Sequence, residues 1–358
     1  MRTRWAGIAS ISLITAISVM SAATYSLADP HLEAPVEVKI ERLLDAAIVT
    51  AALHPSIGQN IQGPSLIRVP DWVVSPLGRY YLYFADHKGT YIRLAYADQL
   101  VGPWTIHPPG SLQLADSHFP TERLEAPPEL VERVRNRLQN TNSKLPHDIV
   151  FEMTTAHIAS PDVHVRHDDK RIVMYFHGLQ AAGSQASRVA TSTDGINFVA
   201  QPQIIGRTYM RAFAHDGSTY AMAMPGQFYR SRDGFTDFET GPLLFNPDMR
   251  HAALLNRGDT LYVFWTQVGQ TPERILLSTI DISGDWMQWK DSAPIDVLRP
   301  ERDWEGADAP LEPSVRSVAY GHVNQLRDPA IYVEGDRTFL LYAVAGESGI
   351  ALAEIALP

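Results

Sequence analysis

Apolar positions along this chain follow two different periods. Over residues 38–54 (VKIERLLDAAIVTAALH) they fall at Ile40, Leu43, Leu44, Ala47 and Ile48, the spacing of one helix face, and predict a leading helix. From Gly63 onward the chain changes to short apolar runs broken by Gly, Asp and Pro, which predicts many short strands joined by turns. Within that part, PPELVERVRNRLQN stands apart, because prolines followed by an early Glu129 suit a helix start.

The strand-rich part repeats itself. Gly63 to Trp104 reads strand, turn, aromatic strand, turn, strand, and Ser160 to Phe198, Arg211 to Phe238, His251 to Trp289 and Asp328 to Ile355 do the same. An apolar second strand returns in each unit, as YYLYF, VMYF, YAMAM, LYVFW and FLLYA. With Pro64, Pro161, Ala212, Ala252 and Pro329 as equivalent strand starts, the spacings are 97, 51, 40 and 77 residues. The two long intervals therefore carry insertions, about His107 to Thr155 with the predicted helix, and about Asp291 to Arg327, rich in Pro, Asp and Glu and without a clear period. A unit of three or four strands cannot cover both of its faces, whereas five units set radially pack each against its neighbours. The predicted fold is all-β: a five-bladed β-propeller with an N-terminal helix and a helical insertion between the first two blades. A two-sheet sandwich would not require the same second strand in every unit. SRDG (Ser231 to Gly234) and STDG (Ser192 to Gly195) read as blade turns.

The first residues and the charge balance narrow the setting. MRTRWAGIASISLITAISVMSAATYSLADP places two arginines before an apolar stretch and then small residues, the layout of a secretory signal peptide. Cleavage after Ala28, or earlier at Ala23, is expected; the alternative is an uncleaved membrane anchor. The expected organisation is a signal peptide over 1–28 and one propeller domain over 29–358, in the periplasm or secreted. Cysteine is absent, so neither disulfides nor thiolate metal sites contribute. Forty acidic against thirty basic residues give a net charge of −10; loss of Arg2 and Arg4 with the leader makes it −12. A chain this acidic, without a basic cluster, is poorly suited to nucleic acid or an anionic membrane, and no protein partner is implied.

In a propeller the leading edges of the inner strands converge on one axial funnel. Asp162 (HIASPDV) and Asp328 (LRDPAIY) are read at that edge in units two and five, with Gly63 and Ser65, Arg211 and His251 in the others. Second strands end in Asp86 and His87, His177, Gln267 and Glu347. Paired carboxylates in one funnel suit glycoside cleavage, one protonated to donate to the leaving oxygen and one acting as base or nucleophile. Trp72, Tyr91, Trp265 and Trp304 are candidates to stack on sugars, and Arg68 or Arg327 to orient an acidic sugar or hold a carboxylate ionised. No HExxH, EF-hand loop, G-x-S-x-G, P-loop or dinucleotide fingerprint occurs. No cofactor is required; a structural channel cation held by a histidine and waters is compatible with the pattern. His157, His251 and His322 are read as channel or loop residues rather than metal ligands.

The five units, ASPDV, YYLYF and LRDPAIY resemble the five-bladed propeller glycosidases of glycoside hydrolase family 43, which include arabinofuranosidases and xylosidases, and the related neoagarobiose hydrolases. The resemblance covers roughly residues 60–355. It implies an aspartate base from the first blade, an aspartate tuning the acid from the second, matched by Asp162, and a glutamate acid from the third. This chain departs at GPSLIRV in unit one, where Asp71 and Asp86 are the nearest acids, and at TYMRAFAHDG in unit three, which has no glutamate. The expected catalytic set is Asp162, Asp328, Glu312, Asp86 and His177, with Glu347 and His322 as other proton-donor candidates. The expected substrate-binding set is His87, Arg68, His251, Arg327, His322 and Trp265. The implied function is an exported glycoside hydrolase acting on a poly- or oligosaccharide. The alternatives are a propeller that binds carbohydrate without cleaving it, and a polysaccharide lyase on the same scaffold.

Overall fold

The computed structural model describes residues 38–140 and 148–357; the leader expected over residues 1–28 lies outside the described residues. Five antiparallel sheets succeed one another along the chain. Their inner strands are Gln62–Arg68, Ile158–Arg166, Arg211–His215, Met249–Arg257 and Arg327–Glu334. These pack side by side in a ring, blade five closing on blade one. The fold is an all-β, five-bladed propeller.

The second strands show why the repeat is so apolar. In Tyr80–Ala85 alternate side chains point to opposite faces of the sheet. Tyr81, Tyr83 and Ala85 enter the core shared with blade two, while Tyr80, Leu82 and Phe84 enter the core shared with blade five. Blade two divides in the same way: Ile172, Met174 and Phe176 face blade one, and Val173 and Tyr175 face blade three. A strand covered on both faces has no polar side to show, so alternation disappears from its sequence. The serine-aspartate-glycine turns tie these strands together: Tyr83 donates its hydroxyl to the Gly195 carbonyl at 2.7 Å, and Tyr175 donates to that of Gly234 at 2.9 Å.

The leading helix over 38–54 does not form. Lys39–Arg42 is a strand paired antiparallel with Gly349–Ala356, and Val49–Thr50 pairs with the start of that same strand. The N-terminal segment supplies the outer strand of blade five and closes the ring with its own chain. An open sheet edge with unpaired backbone groups outweighs a weak helical spacing. Arg42 secures the closure. It bonds Glu305 at 2.7 and 2.9 Å, and Glu305, fully buried in the second insertion, also accepts the Tyr342 hydroxyl at 2.9 Å.

Between blades one and two lie helices α1 (Pro128–Asn140) and α2 (Ile149–Thr154), the latter capped by Asp148, whose carboxylate accepts the Val150 and Phe151 N–H groups.

A bulge recurs at the leading end of four inner strands. Pairing with the second strand shifts between Gln62 and Ser65, Ala159 and Asp162, Arg250 and Ala252, and Arg327 and Ala330. At each shift one residue takes a positive φ: Gly63 (62°), Ser160 (49°), His251 (43°) and Asp328 (48°). These four are the equivalent positions at which a blade presents a residue to the upper mouth of the channel. The blade-two counterpart of Asp328 is therefore Ser160, and Asp162 stands two residues further down.

Candidate active site

Blade five carries the centre of the upper mouth. Asp328 is fully buried; its Oδ1 accepts the Tyr209 hydroxyl at 2.9 Å and lies 3.6 Å from His251 Nδ1, while Oδ2 has no hydrogen-bond partner among the described residues. Burial, and then the nearby Glu347 charge, push its carboxyl up to about 7. Glu347, at the turn after the second strand of the same blade, is held by Arg327 at 2.8 Å, Asn60 at 2.8 Å, the Ala319 N–H at 3.3 Å and His87 at 3.4 Å. Burial alone would raise it, but His87, Arg327 and Asn60 hold it below the ordinary carboxylate range. The pair titrates as a unit, with one carboxyl protonated and one charged.

Aromatic rings extend this centre. His251 is tilted against Tyr209 with centroids 5.0 Å apart; Tyr209 lies 6.3 Å from His177, and His177 6.3 Å from His157. Burial holds His177 and His251 neutral, both well below the usual imidazole value. His157 is likewise pushed down to about 3, and its Nδ1 meets the Thr155 carbonyl at 2.7 Å. Among the described residues, Nδ1 of His177 and of His251 has no hydrogen-bond partner. Among the described residues, no group of three or more histidine, aspartate and glutamate side chains is placed to hold a metal ion.

Above this floor is a cavity of about 340 Å³. Its charged and imidazole side chains are His87, Lys88, Glu152, Arg250, His251 and Arg316. Helices α1 and α2 form one wall through Val134, Leu138, Ile149 and Met153, and the second insertion contributes Arg316 and Ser317. Arg250 fixes that insertion by donating to the Val315 and Ser317 carbonyls at 3.1 and 3.3 Å, while its other nitrogens bind buried Glu273.

Arg211 closes the channel beneath. Its guanidinium lies over the Tyr209 ring at 4.3 Å and donates to the carbonyls of Ala252, Ser160 and Pro161. On its far side opens a second cavity of about 530 Å³, lined among others by Asp162, His164, Arg68, Asp71 and Glu334.

Of the sequence-predicted residues, Asp328, Glu347, His251, His177, His87 and Arg327 meet at the upper mouth. The rest do not. The Asp162 carboxylate accepts the Ala212 N–H at 2.7 Å and pairs with His164 at 2.7 Å, bridging the inner strands of blades two and three on the lower side of Arg211. Arg68 sits at the lower end of its strand beside Glu334 at 3.5 Å. Asp86 caps its turn by accepting the Lys88 N–H and pairing with Arg93. Glu312 is exposed in the second insertion, where His322 pairs with Asp308 at 2.5 Å. Trp265 is buried in the core of blades three and four, with its indole N–H donated to Ser278. Trp72, Tyr91 and Trp304 do not line the upper cavity either. Sequence reasoning missed Tyr209, Arg250, Glu273 and Glu152. Tyr209 alone had a usable signal, its place in TYMR just ahead of an inner strand.

The departure in unit one has a steric cause. A Cβ at Gly63 would approach the Ser160 Cα to 2.9 Å, and its φ is 62°. No acid fits there.

No family model matches the chain. Among solved structures it is similar to a glycoside hydrolase family 43 enzyme from Xanthomonas citri, 13% identical, covering 87% of this chain and 90% of that one with a TM-score of 0.51. It is also similar to an endo-1,4-beta-xylanase from Bacteroides thetaiotaomicron, 13% identical, covering 82% and 89% with a TM-score of 0.50. The resemblance to propeller glycosidases is thus one of fold. In sequence, it is 36% identical over 322 residues to an uncharacterized protein of Acanthamoeba polyphaga mimivirus, covering 83% of each. The chain belongs to the same family as that viral protein.

Proposed function

We propose that the protein is a glycoside hydrolase whose substrate end enters the upper cavity. The observation that carries this is Asp328, a buried carboxyl pushed up to about 7 by burial and the Glu347 charge, 3.6 Å from His251, which lines the cavity. A carboxyl in that state can supply the proton a leaving glycosidic oxygen needs. His251 lines the cavity 3.6 Å from Asp328 and is the imidazole through which the proton passes. Glu152, on the helical wall, holds Lys88 at 3.1 Å through Oε2, and its Oε1 has no hydrogen-bond partner among the described residues. It is the carboxylate placed to take a proton from the attacking water. The shared fold with carbohydrate-cleaving enzymes supports a sugar ligand.

The same proposal takes residues 1–28 as a cleaved signal, so that the enzyme works outside the cytoplasm; the N-terminal residue of the exported protein tests it. Activity is tested by incubating the purified protein with a panel of oligosaccharides and aryl glycosides and measuring reducing ends or released phenol. Turnover that disappears in Asp328→Asn is the expected result; turnover unchanged in that variant removes Asp328 from the chemistry.

A second reading, a propeller that binds sugar without cleaving it, is favoured by the complete burial of Asp328 and by the steric exclusion of an acid at Gly63. Binding measured by calorimetry with no cleavage of any bound sugar would select it.

A further inference from the structure

The upper cavity is chemically mixed, and much of its lining is aliphatic: Val134, Leu138, Ile149, Met153, Leu179 and Met224. No aromatic ring other than the imidazoles of His87 and His251 lines it among the described residues, so it offers no Trp, Tyr or Phe plane for a sugar face. Polar groups near that lining are already spent on each other. Gln185 accepts the Thr208 hydroxyl at 2.8 Å and sets its amide nitrogen 3.2 Å from His157 Nε2. Lys88 is taken by the carbonyl and carboxylate of Glu152, and Arg250 by Glu273 and two carbonyls. Among the described residues, two further lining groups keep a buried polar atom without a hydrogen-bond partner: Glu152 Oε1, beside the aliphatic residues of α2, and Ser317 Oγ of the second insertion.

A ligand matching this cavity bonds through a few polar groups and turns carbon to the aliphatic lining. A fully hydroxylated sugar would press hydroxyls against Leu138, Met153 and Met224, where water is displaced and nothing replaces it. We propose that the cavity selects a sugar carrying an aliphatic substituent, a 6-deoxy methyl or an O-acetyl group, facing the wall built by α1 and α2. The proposal rests on the sugar-binding reading of this cavity and adds the class of sugar. A methyl in an apolar pocket is worth about tenfold or more in specificity.

The test compares aryl 6-deoxyhexosides, aryl O-acetylhexosides and the parent hydroxylated aryl hexosides on the purified protein. The expected result is kcat/KM about tenfold or more higher for one substituted series than for its parents, the series that wins distinguishing the methyl from the acetyl. In Val134→Thr, which places a hydroxyl on the wall at nearly constant volume, that preference falls toward parity while the melting midpoint confirms the fold. Equal turnover of parent and substituted glycosides overturns the aliphatic selection and leaves hydrolysis standing. If no glycoside is cleaved, hydrolysis falls and selection is decided by calorimetry with free 6-deoxyhexoses, acetylated hexoses and their parents. Tighter binding of a substituted sugar supports it; equal binding, or none, overturns it.

Discussion

The Tyr209 hydroxyl donates to Oδ1 of Asp328 at 2.9 Å, joining the segment that leads into blade three to the inner strand of blade five across the axis. Oδ1 is also the oxygen that faces His251 Nδ1, at 3.6 Å, while Oδ2 has no hydrogen-bond partner among the described residues. Asp328→Asn is expected to keep the fold and lose nearly all turnover. In the wild type the rate should fall as pH rises through about 7, where Asp328 gives up its proton. Stability follows the same sign: the folded state binds this proton more tightly than the unfolded chain, so the contribution is present at low pH and is lost as pH rises toward 7. A pH profile of kcat/KM and urea melts across that window check both.

Glu347 sets the position of that limb. Glu347→Gln keeps the shape and removes the charge that helps hold the Asp328 proton. The alkaline limb of the profile should move to lower pH. An unmoved limb would leave burial as its sole cause.

Asp162 is expected to act in stability rather than turnover. Its carboxylate joins blades two and three through the Ala212 N–H and His164, and Asp162→Ala should cost about 1–3 kcal/mol by stranding a partly buried donor. His164, Arg211 and the Ala212 N–H hold this carboxyl below its ordinary range against burial, so its contribution is lost as pH falls through that lowered value. Lost turnover with an unchanged denaturation midpoint would return Asp162 to the catalytic set.

Ring closure depends on Arg42. Arg42→Ala leaves Glu305 buried with only the Tyr342 hydroxyl and backbone N–H groups, and the loss of one partner from such a pair costs about 3–5 kcal/mol. Denaturant unfolding measures it. A change under about 1 kcal/mol would place the pair with surface salt bridges.

The tyrosine ties between blades are smaller and repeated. Tyr83→Phe and Tyr175→Phe each remove one hydroxyl-to-carbonyl bond and should each cost about 1 kcal/mol, read as a shift in thermal midpoint.

Much of the fold was legible because it rests on local alternation. Each second strand lost its polar face since both of its faces meet another blade, and that deficit recurs in all five units. The serine-aspartate-glycine turns were readable for the same reason, as their hydrogen bonds lie within a few residues. Asp328, His251, His177, His87 and Arg327 were also found, because strand starts and ends fall at one rim.

The sequence could not decide which residues at that rim share a chamber. Asp162 and Asp328 look alike as aspartates beside a proline, yet the bulge makes Ser160 the blade-two counterpart of Asp328 and sends Asp162 below the Arg211 plug. Residues 38–54 look helical in isolation but complete an open sheet edge more than 290 residues away in sequence. Glu152 and the helical part of the aliphatic lining come from the insertion, while Leu179 and Met224 reach the same cavity from blades two and three. The sequence by itself determined the repeating blades and their apolar strands, because alternation and turns are local; only the tertiary structure decided register, ring closure and the membership of the site, because those depend on backbone partners and charges far apart in the chain.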